Sequence, residues 1–189
     1  MLSVIIPTLN SERTLLRTLV ALVPGAMDGL VRDVVVADGG SRDDTAAVAD
    51  VAGCNFLTIE GPVAVRLKTA AGAARGQWLL FLQPGTVLDS PWTGEARRFI
   101  EHSAKQDRAA AFRRGAAGQS ALRDALSLLG PALFVKPRPA QGLLISRQFY
   151  EALGGHVERA PDPERDLIRR IGRRRIATLA ASAFAAPDA

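Results

Sequence analysis

VVVADGGSRDDT, residues 34–45, is an apolar run that ends on an acid and then turns through two glycines. Val34-Val35-Val36 is the β-branched type of run that lies buried on both faces of a parallel sheet. Ser41-Arg42-Asp43-Asp44 has the form of a capping box, a serine cap with an acid three residues on. It predicts a helix through Ala46, Val48 and Val51, closed by Gly53. The same alternation repeats on either side. Upstream, residues 2–6 predict a strand, Asn10 or Ser11 a helix cap, and Leu15, Leu19, Leu22 and Val23 the buried face of a helix ended by Pro24-Gly25. Downstream follow a strand at 54–59, a small-residue helix at 64–75 closed by Gly76, and a strand at 78–82. This β-α-β-α-β-α-β order predicts an α/β fold, a mostly parallel sheet flanked by helices and joined by right-handed crossovers.

The second half is less regular. Ser90-Pro91 is a helix-start signal for a helix reaching 105. A strand at 109–113, a helix at 121–129 and a strand at 143–146 follow. Next come a helix at 147–153 ending on Gly154-Gly155, a helix at 164–171 ending at Gly172, and a last strand at 175–179. With no repeat and no linker, residues 1–189 read as a single domain.

At 189 residues and 48% hydrophobic content the chain can bury one proper core. The single Cys54 rules out an intramolecular disulfide and a cysteine-based zinc site, and suits a reducing compartment. No signal peptide is visible, and no apolar run approaches the ~20 residues of a membrane helix. A cytoplasmic location is expected. The net charge of +5 is uneven, because six arginines crowd Arg165–Arg175. That segment reads either as a solvated helix face, as a peripheral contact with anionic membrane at the inner face, or as a partner for a phosphorylated ligand. Nucleic acid is not expected, since few aromatics are present to stack on bases and no reader motif appears.

In parallel α/β sheets ligands sit outside the carboxyl ends of the strands. The segments there are Pro7-Thr8-Leu9-Asn10, Asp38-Gly39-Gly40-Ser41 and Gln83-Pro84-Gly85-Thr86. The first lacks the glycines of a dinucleotide-binding turn, and no Walker-type phosphate loop occurs. Asp38 has two readings. Its carboxylate can accept bonds from a ribose hydroxyl or base N–H while Gly39 and Gly40 let backbone approach a ligand. Alternatively it starts a turn whose glycines supply unusual backbone angles.

SVIIPTLNSERTLLRTLVAL followed by VVVADGGSRDDT resembles the opening of family-2 glycosyltransferases of the GT-A fold. Their form is a strand with Pro-x-x-Asn-x-Glu, then a strand with Asp-Gly-Ser-x-Asp-x-Thr. AAGAARGQWLLFLQPGT is similar to that family's Asn-x-Gly-x-x-x-Ala-x-Gly-x-x-Leu-x-Phe-Leu-x-x-Asp segment. QGLLISRQFYEALGG with PERDLIRRI resembles its acceptor-side region, and the match is nearest a short bacterial subgroup. The resemblance implies a nucleotide-binding half at 1–89 and an acceptor-side half at 90–189. It implies a nucleotide-diphosphate sugar as donor and transfer, with inversion, to an acceptor hydroxyl the sequence does not identify. Pro7, Thr8, Asn10 and Glu12 would line the base and ribose side, with Asp38, Gly39, Gly40 and Ser41 on the nucleoside and Arg66 or Lys68 reaching the diphosphate.

Two departures qualify that picture. The family places an Asp-x-Asp-like element after the Phe-Leu strand, where carboxylates hold Mg²⁺ or Mn²⁺ against the diphosphate. Here Gln83 and Gly85 stand at that turn, and Asp89, further on, suits capping near Ser90-Pro91. The family also carries an acidic pair before the last helix. Here Glu164 is the candidate base, with Asp162 and Asp166 nearby, although first-turn acids are also stabilised by a helix dipole alone. A carboxylate common in close relatives is replaced in Pro139-Ala140-Gln141. The alternative to metal-dependent transfer is thus a non-catalytic or metal-independent sugar-nucleotide-binding homologue, in which Arg66, Arg113 or Arg138 supplies the cation's charge.

Overall fold

In the computed structural model, which describes residues 1–103, 106–115 and 141–185, strand β1 (Leu2–Thr8) is buried at every position. It lies between β2 (Val31–Asp38) and β4 (Trp78–Phe81), parallel to both, and β2 pairs in parallel with β3 (Asn55–Thr58). Alternate side chains of β1 enter opposite cores, as the pleat requires. Val4 and Ile6 pack with α1 (Glu12–Met27) and α4 (Trp92–Ser103) through Leu15, Leu19, Trp92 and Phe99. Ile5 packs on the other face with α3 (Val63–Ala73), α5 (Arg147–Ala152) and α6 (Pro163–Ile171) through Leu67, Phe149 and Leu167. A strand covered on both faces needs no polar alternation, which is why its sequence reads as one apolar run.

Among the described residues the sheet has eight strands, in the order β3-β2-β1-β4-β7-β6-β8-β5. Beyond β4 the expected parallel arrangement gives way. β7 (Leu143–Ser146) is antiparallel to both β4 and β6 (Ala109–Arg114), β8 (Ile176–Ala185) is parallel to β6, and β5 (Thr86–Leu88) is antiparallel to β8. The sheet is therefore mixed, and mostly parallel only in its first half. β5 carries too short a run to show as a strand, and it is held by β8, which extends well past the expected 175–179.

Three local expectations are corrected. α1 continues through Pro24-Gly25 to Met27. Near the end of a helix a proline forfeits little ladder, and Gly25 serves contact, because a Cβ there would lie 2.5 Å from the Trp92 ring. The reversal comes at Gly29, φ +64°. α2 is Thr45–Val51 and is not opened by Ser41, because Ser41 turns back onto Asp38. Gly76 follows α3 at a distance; a Cβ there would meet the Ser3 backbone at 2.6 Å. The expected helix at 121–129, residue 105 and Arg138 lie outside the described residues.

Candidate active site

The carboxyl ends of β1 and β2 are tied into one loop system by Asp38. One carboxylate oxygen accepts from the Thr8 hydroxyl at 2.8 Å and from the Ser41 hydroxyl. The other accepts from the amides of Gly40 at 2.8 Å and Ser41 at 2.7 Å. Burial pushes this carboxyl upward, but the donors on Ser41, Thr8 and Gly40 outweigh it and hold the pKa below the ordinary value. With four donors engaged, Asp38 ties Thr8, Gly40 and Ser41 together, and Gly40 turns at φ +92°. Asn10 adopts φ +50°, a left-handed conformation that asparagine tolerates. Its amide donates to the Ser41 hydroxyl and its side-chain oxygen accepts from the Arg42 amide, both at 2.8 Å. Asp43 accepts from the Glu12 amide and from Thr45, so the backbone of Glu12 is engaged in the same clip. Pro7 is buried in β1 opposite Ala37.

Arg66 reaches this edge from α3. Its Nη1 donates to the Thr8 carbonyl at 2.7 Å, and a Cβ on Gly39 would lie 2.7 Å from the same nitrogen. Gly39 is thus a glycine of close approach. The Arg66 Nε is buried without a partner. Lys68, two residues on, faces away and lines a cavity with the 154–158 loop. The structure brings Arg66 to the loops and leaves Lys68 out, because positions two apart on a helix point to different sides.

The turn after β4 is fastened to α1. The Gly85 amide donates to the Thr14 carbonyl at 3.0 Å and to the Thr18 hydroxyl at 2.9 Å, and its φ of +88° demands glycine. Gln83 extends from this turn to α6, where its Nε2 donates to Glu164 Oε2 at 2.7 Å. Burial pushes the half-buried Glu164 carboxyl up to about 7; the Gln83 bond works against that and the Asp162 charge adds to it. Asp166 does not join Glu164. It accepts from Arg170 and Arg169, both at 2.7 Å, and those arginines hold its pKa down. Asp162 caps α6 through the Arg165 amide. The arginine segment is partly engaged within the chain and largely exposed. Arg170 also donates to the Leu153 and Gly155 carbonyls at 2.6 Å each, and Arg175 donates to the Ile171 carbonyl and lies over the Phe149 ring. Arg173 and Arg174 are exposed. No described helix is long and apolar enough to cross a membrane.

Residues 3–117 match the family described as Glycosyl transferase family 2. The chain belongs to that family. It has no match among curated proteins. Among solved structures it is similar to S. aureus TarS 1–349 in complex with UDP-GlcNAc, at TM-score 0.73 and 18% identity, covering 100% of this chain and 59% of that one. It is also similar to glucosyl-3-phosphoglycerate synthase from Mycobacterium tuberculosis in complex with Mn²⁺, uridine diphosphate and phosphoglyceric acid. There the TM-score is 0.65 and the identity 19%, covering 94% of this chain and 67% of that one. The mannosyltransferase PcManGT from Pyrobaculum calidifontis, in complex with GDP-Man and Mn²⁺, gives 0.70 and 17%, covering 99% of this chain and 57% of that one. At these identities the likeness establishes the fold. The family-2 chain described here spans about three-fifths of the TarS fragment.

A divalent ion held in the family's way does not fit these residues. At the turn, the Gln83 side chain is an uncharged amide whose nitrogen is bonded to Glu164, and Gly85 offers only backbone. Asp89 is drawn to β8, where its Oδ2 accepts from the Ser182 amide at 2.9 Å; its Oδ1 is buried without a partner, and only its backbone carbonyl meets the start of α4, accepting from the Trp92 amide at 3.1 Å. Among the described residues no group of three or more His, Cys, Asp or Glu is placed to hold a metal. Gln141 donates to the Phe112 carbonyl and is buried. Thr14 and Thr18, which hold the turn, give no signal in the sequence because helical spacing marks them only as a polar edge of α1. The Asp43–Thr45 clip did carry a signal, in the acid and threonine that close the Asp-Gly-Gly-Ser-x-Asp-x-Thr run.

Proposed function

We propose that this chain, a GT-A-type domain, binds a nucleotide-diphosphate sugar at the carboxyl edge of β1, β2 and β4, and does so without a carboxylate-held divalent ion. The observation that carries this reading is the Gln83–Glu164 bond. Where the family resemblance sets a metal-binding acid, this chain sets a neutral amide and points it at an acid of the last helix. A carboxylate at position 83 beside Glu164 would place two like charges together and call for a cation between them; an amide removes that need. The clipped loops around Asp38 and Asn10 supply a preorganised backbone for the nucleoside, and Arg66 brings a cationic charge to them.

A second reading, transfer to an acceptor hydroxyl, is favoured by the Glu164 carboxyl at about 7, a value suited to a general base near neutral pH. In it the acceptor oxygen attacks the anomeric carbon, Glu164 takes the hydroxyl proton, and the bond to the diphosphate oxygen breaks with inversion.

Thermal melting with UDP-, GDP- and TDP-sugars, in EDTA and in Mn²⁺, tests the first reading. Stabilisation of equal size in both conditions is expected. Stabilisation that requires Mn²⁺, or none with any nucleotide, rejects it. Product analysis with an acceptor panel then tests transfer, which Glu164→Gln should abolish.

A further inference from the structure

We propose that two copies of this chain associate through the solvent face of α1, the two helices pairing antiparallel about a two-fold axis. The inward face of α1 is that of an ordinary core helix, with Leu15, Leu19 and Leu22 buried. The outward face carries a second apolar stripe. Leu16, Val20, Val23 and Met27 are 54%, 62%, 49% and 82% exposed. They recur at spacings of four, three and four residues, the seam of a helix that packs against another helix. A helix turned only to water carries polar residues on that side. α4 and α6 do so, with Arg97, Arg98 and Glu101 exposed on the one and Arg165 and Arg169 on the other.

The stripe borders a cleft of about 500 Å³, with Leu16, Val20 and Val23 of α1 and Val48 and Val51 of α2 among its walls. Val51 is 89% exposed. The seam and Val51 together leave roughly 600 Å² of apolar surface in water, the upper end of what a monomer exposes in one patch. Covered on both copies, that amounts to roughly 1,200 Å², the lower bound of a stable interface before any polar rim is added.

The order of residues along the seam selects a second copy as the occupant. In an antiparallel pair centred between Val20 and Val23, each Val20 meets the other copy's Val23, and each Leu16 meets the other copy's Met27. The seam is its own complement, as an isologous interface requires. Charge sets the direction. Arg13, exposed, continues the seam three residues before Leu16, and exposed Asp28 follows Met27. Antiparallel pairing brings each Arg13 to the Asp28 end of the other helix and sets the two helix dipoles in favourable opposition. Parallel pairing would instead set Arg13 against Arg13, a like-charge contact. The pairing uses none of Asp38, Arg66, Gln83 or Glu164, so it goes beyond the nucleotide reading and is tested without a nucleotide.

The test is sedimentation equilibrium of the full chain from about 1 to about 100 μM. The expected result is a reversible species of twice the 20.1 kDa chain mass. Val20→Glu should raise its dissociation constant at least about 100-fold, because the two-fold axis would bury a pair of unpaired carboxylates. Val20 faces solvent in a single copy, so the variant keeps its core, and its circular dichroism should match the parent's. Val157→Glu, at an exposed apolar residue elsewhere, should leave association unchanged. Cross-linking in a Cys54→Ala background, which removes the only native thiol, reads the register. Mixed Leu16→Cys and Met27→Cys chains should form the mixed disulfide on mild oxidation. Leu16→Cys alone should not, since antiparallel pairing separates the two copies of that residue by roughly 16 Å along the axis. A monomer across the whole range, a dimer indifferent to Val20→Glu, or an efficient Leu16→Cys homodisulfide overturns the proposal.

Discussion

Glu164→Gln isolates what the half-buried acid costs the fold. In the folded chain the carboxyl titrates at about 7, against an ordinary value of 4.5. Between those values the unfolded chain ionises and the folded chain stays protonated, so the unfolded state is favoured progressively. The group's contribution is fully present below about pH 4.5 and is lost as pH rises through about 7. That interval, at about 1.36 kcal/mol per pH unit, amounts to about 3 kcal/mol. Residual solvent contact reduces the figure to about 2 kcal/mol. Glutamine keeps an oxygen for the Gln83 amide and carries no titrating proton, so it retains the contact and removes the pH dependence. Urea unfolding of both chains should agree near pH 4.5 and diverge towards about pH 8, where the variant is more stable by about 2 kcal/mol. A stability difference that stays flat across that range refutes the assignment of a neutral, desolvated Glu164.

Asp38→Asn should destabilise the chain by about 2–3 kcal/mol, since one carboxylate accepts four bonds and an amide must turn a donor towards some of those donors; a melting point unchanged from the parent contradicts this. Gln83→Asp should create Mn²⁺ binding by placing two acids side by side, and electron paramagnetic resonance of added Mn²⁺ reads it directly. Absence of a bound signal would show that the turn cannot present ligands at all. Gly25→Val should cost about 3 kcal/mol through overlap with Trp92 and Val31, measurable by denaturant unfolding; a cost below about 0.5 kcal/mol would mean that α1 and α4 separate freely.

The strand and helix order of the first half was legible because apolar runs alternate with helically spaced segments, whereas the helix ends are displaced by tertiary contacts at Gly25, Ser41 and Gly76. The second half was not, because antiparallel and parallel neighbours leave the same mark on a buried strand, and β5 is too short to leave any. At the site the motif residues are legible in sequence, but their hydrogen-bond partners are not. Asp38 reads as a ligand contact or a turn residue, and only the structure shows its carboxylate accepting from Thr8, Gly40 and Ser41. Lys68 and Arg66 read alike until helical geometry sends them to different sides. Asp166 and Glu164 read alike until the arginines claim one of them. Gln83 reads as a loss, and only tertiary structure reveals the acid 81 residues away to which it is bonded.

The pairing of β5 with β8 bears on how the chain is made. The turn at 83–85 is fixed on one side by α1, which precedes it, but the strand it leads into is held by residues 183–185. A growing chain can pair β1, β2, β3 and β4 with one another once residue 81 has emerged, because their mutual partners all lie in the first half of the chain. It cannot seat β5 until well over ninety further residues have followed, since its partners are Ala183, Phe184 and Ala185. During synthesis the loops joined by Asp38 and Asn10 are thus completed well before the segment that frames Gln83, and the two sides of this edge mature in sequence.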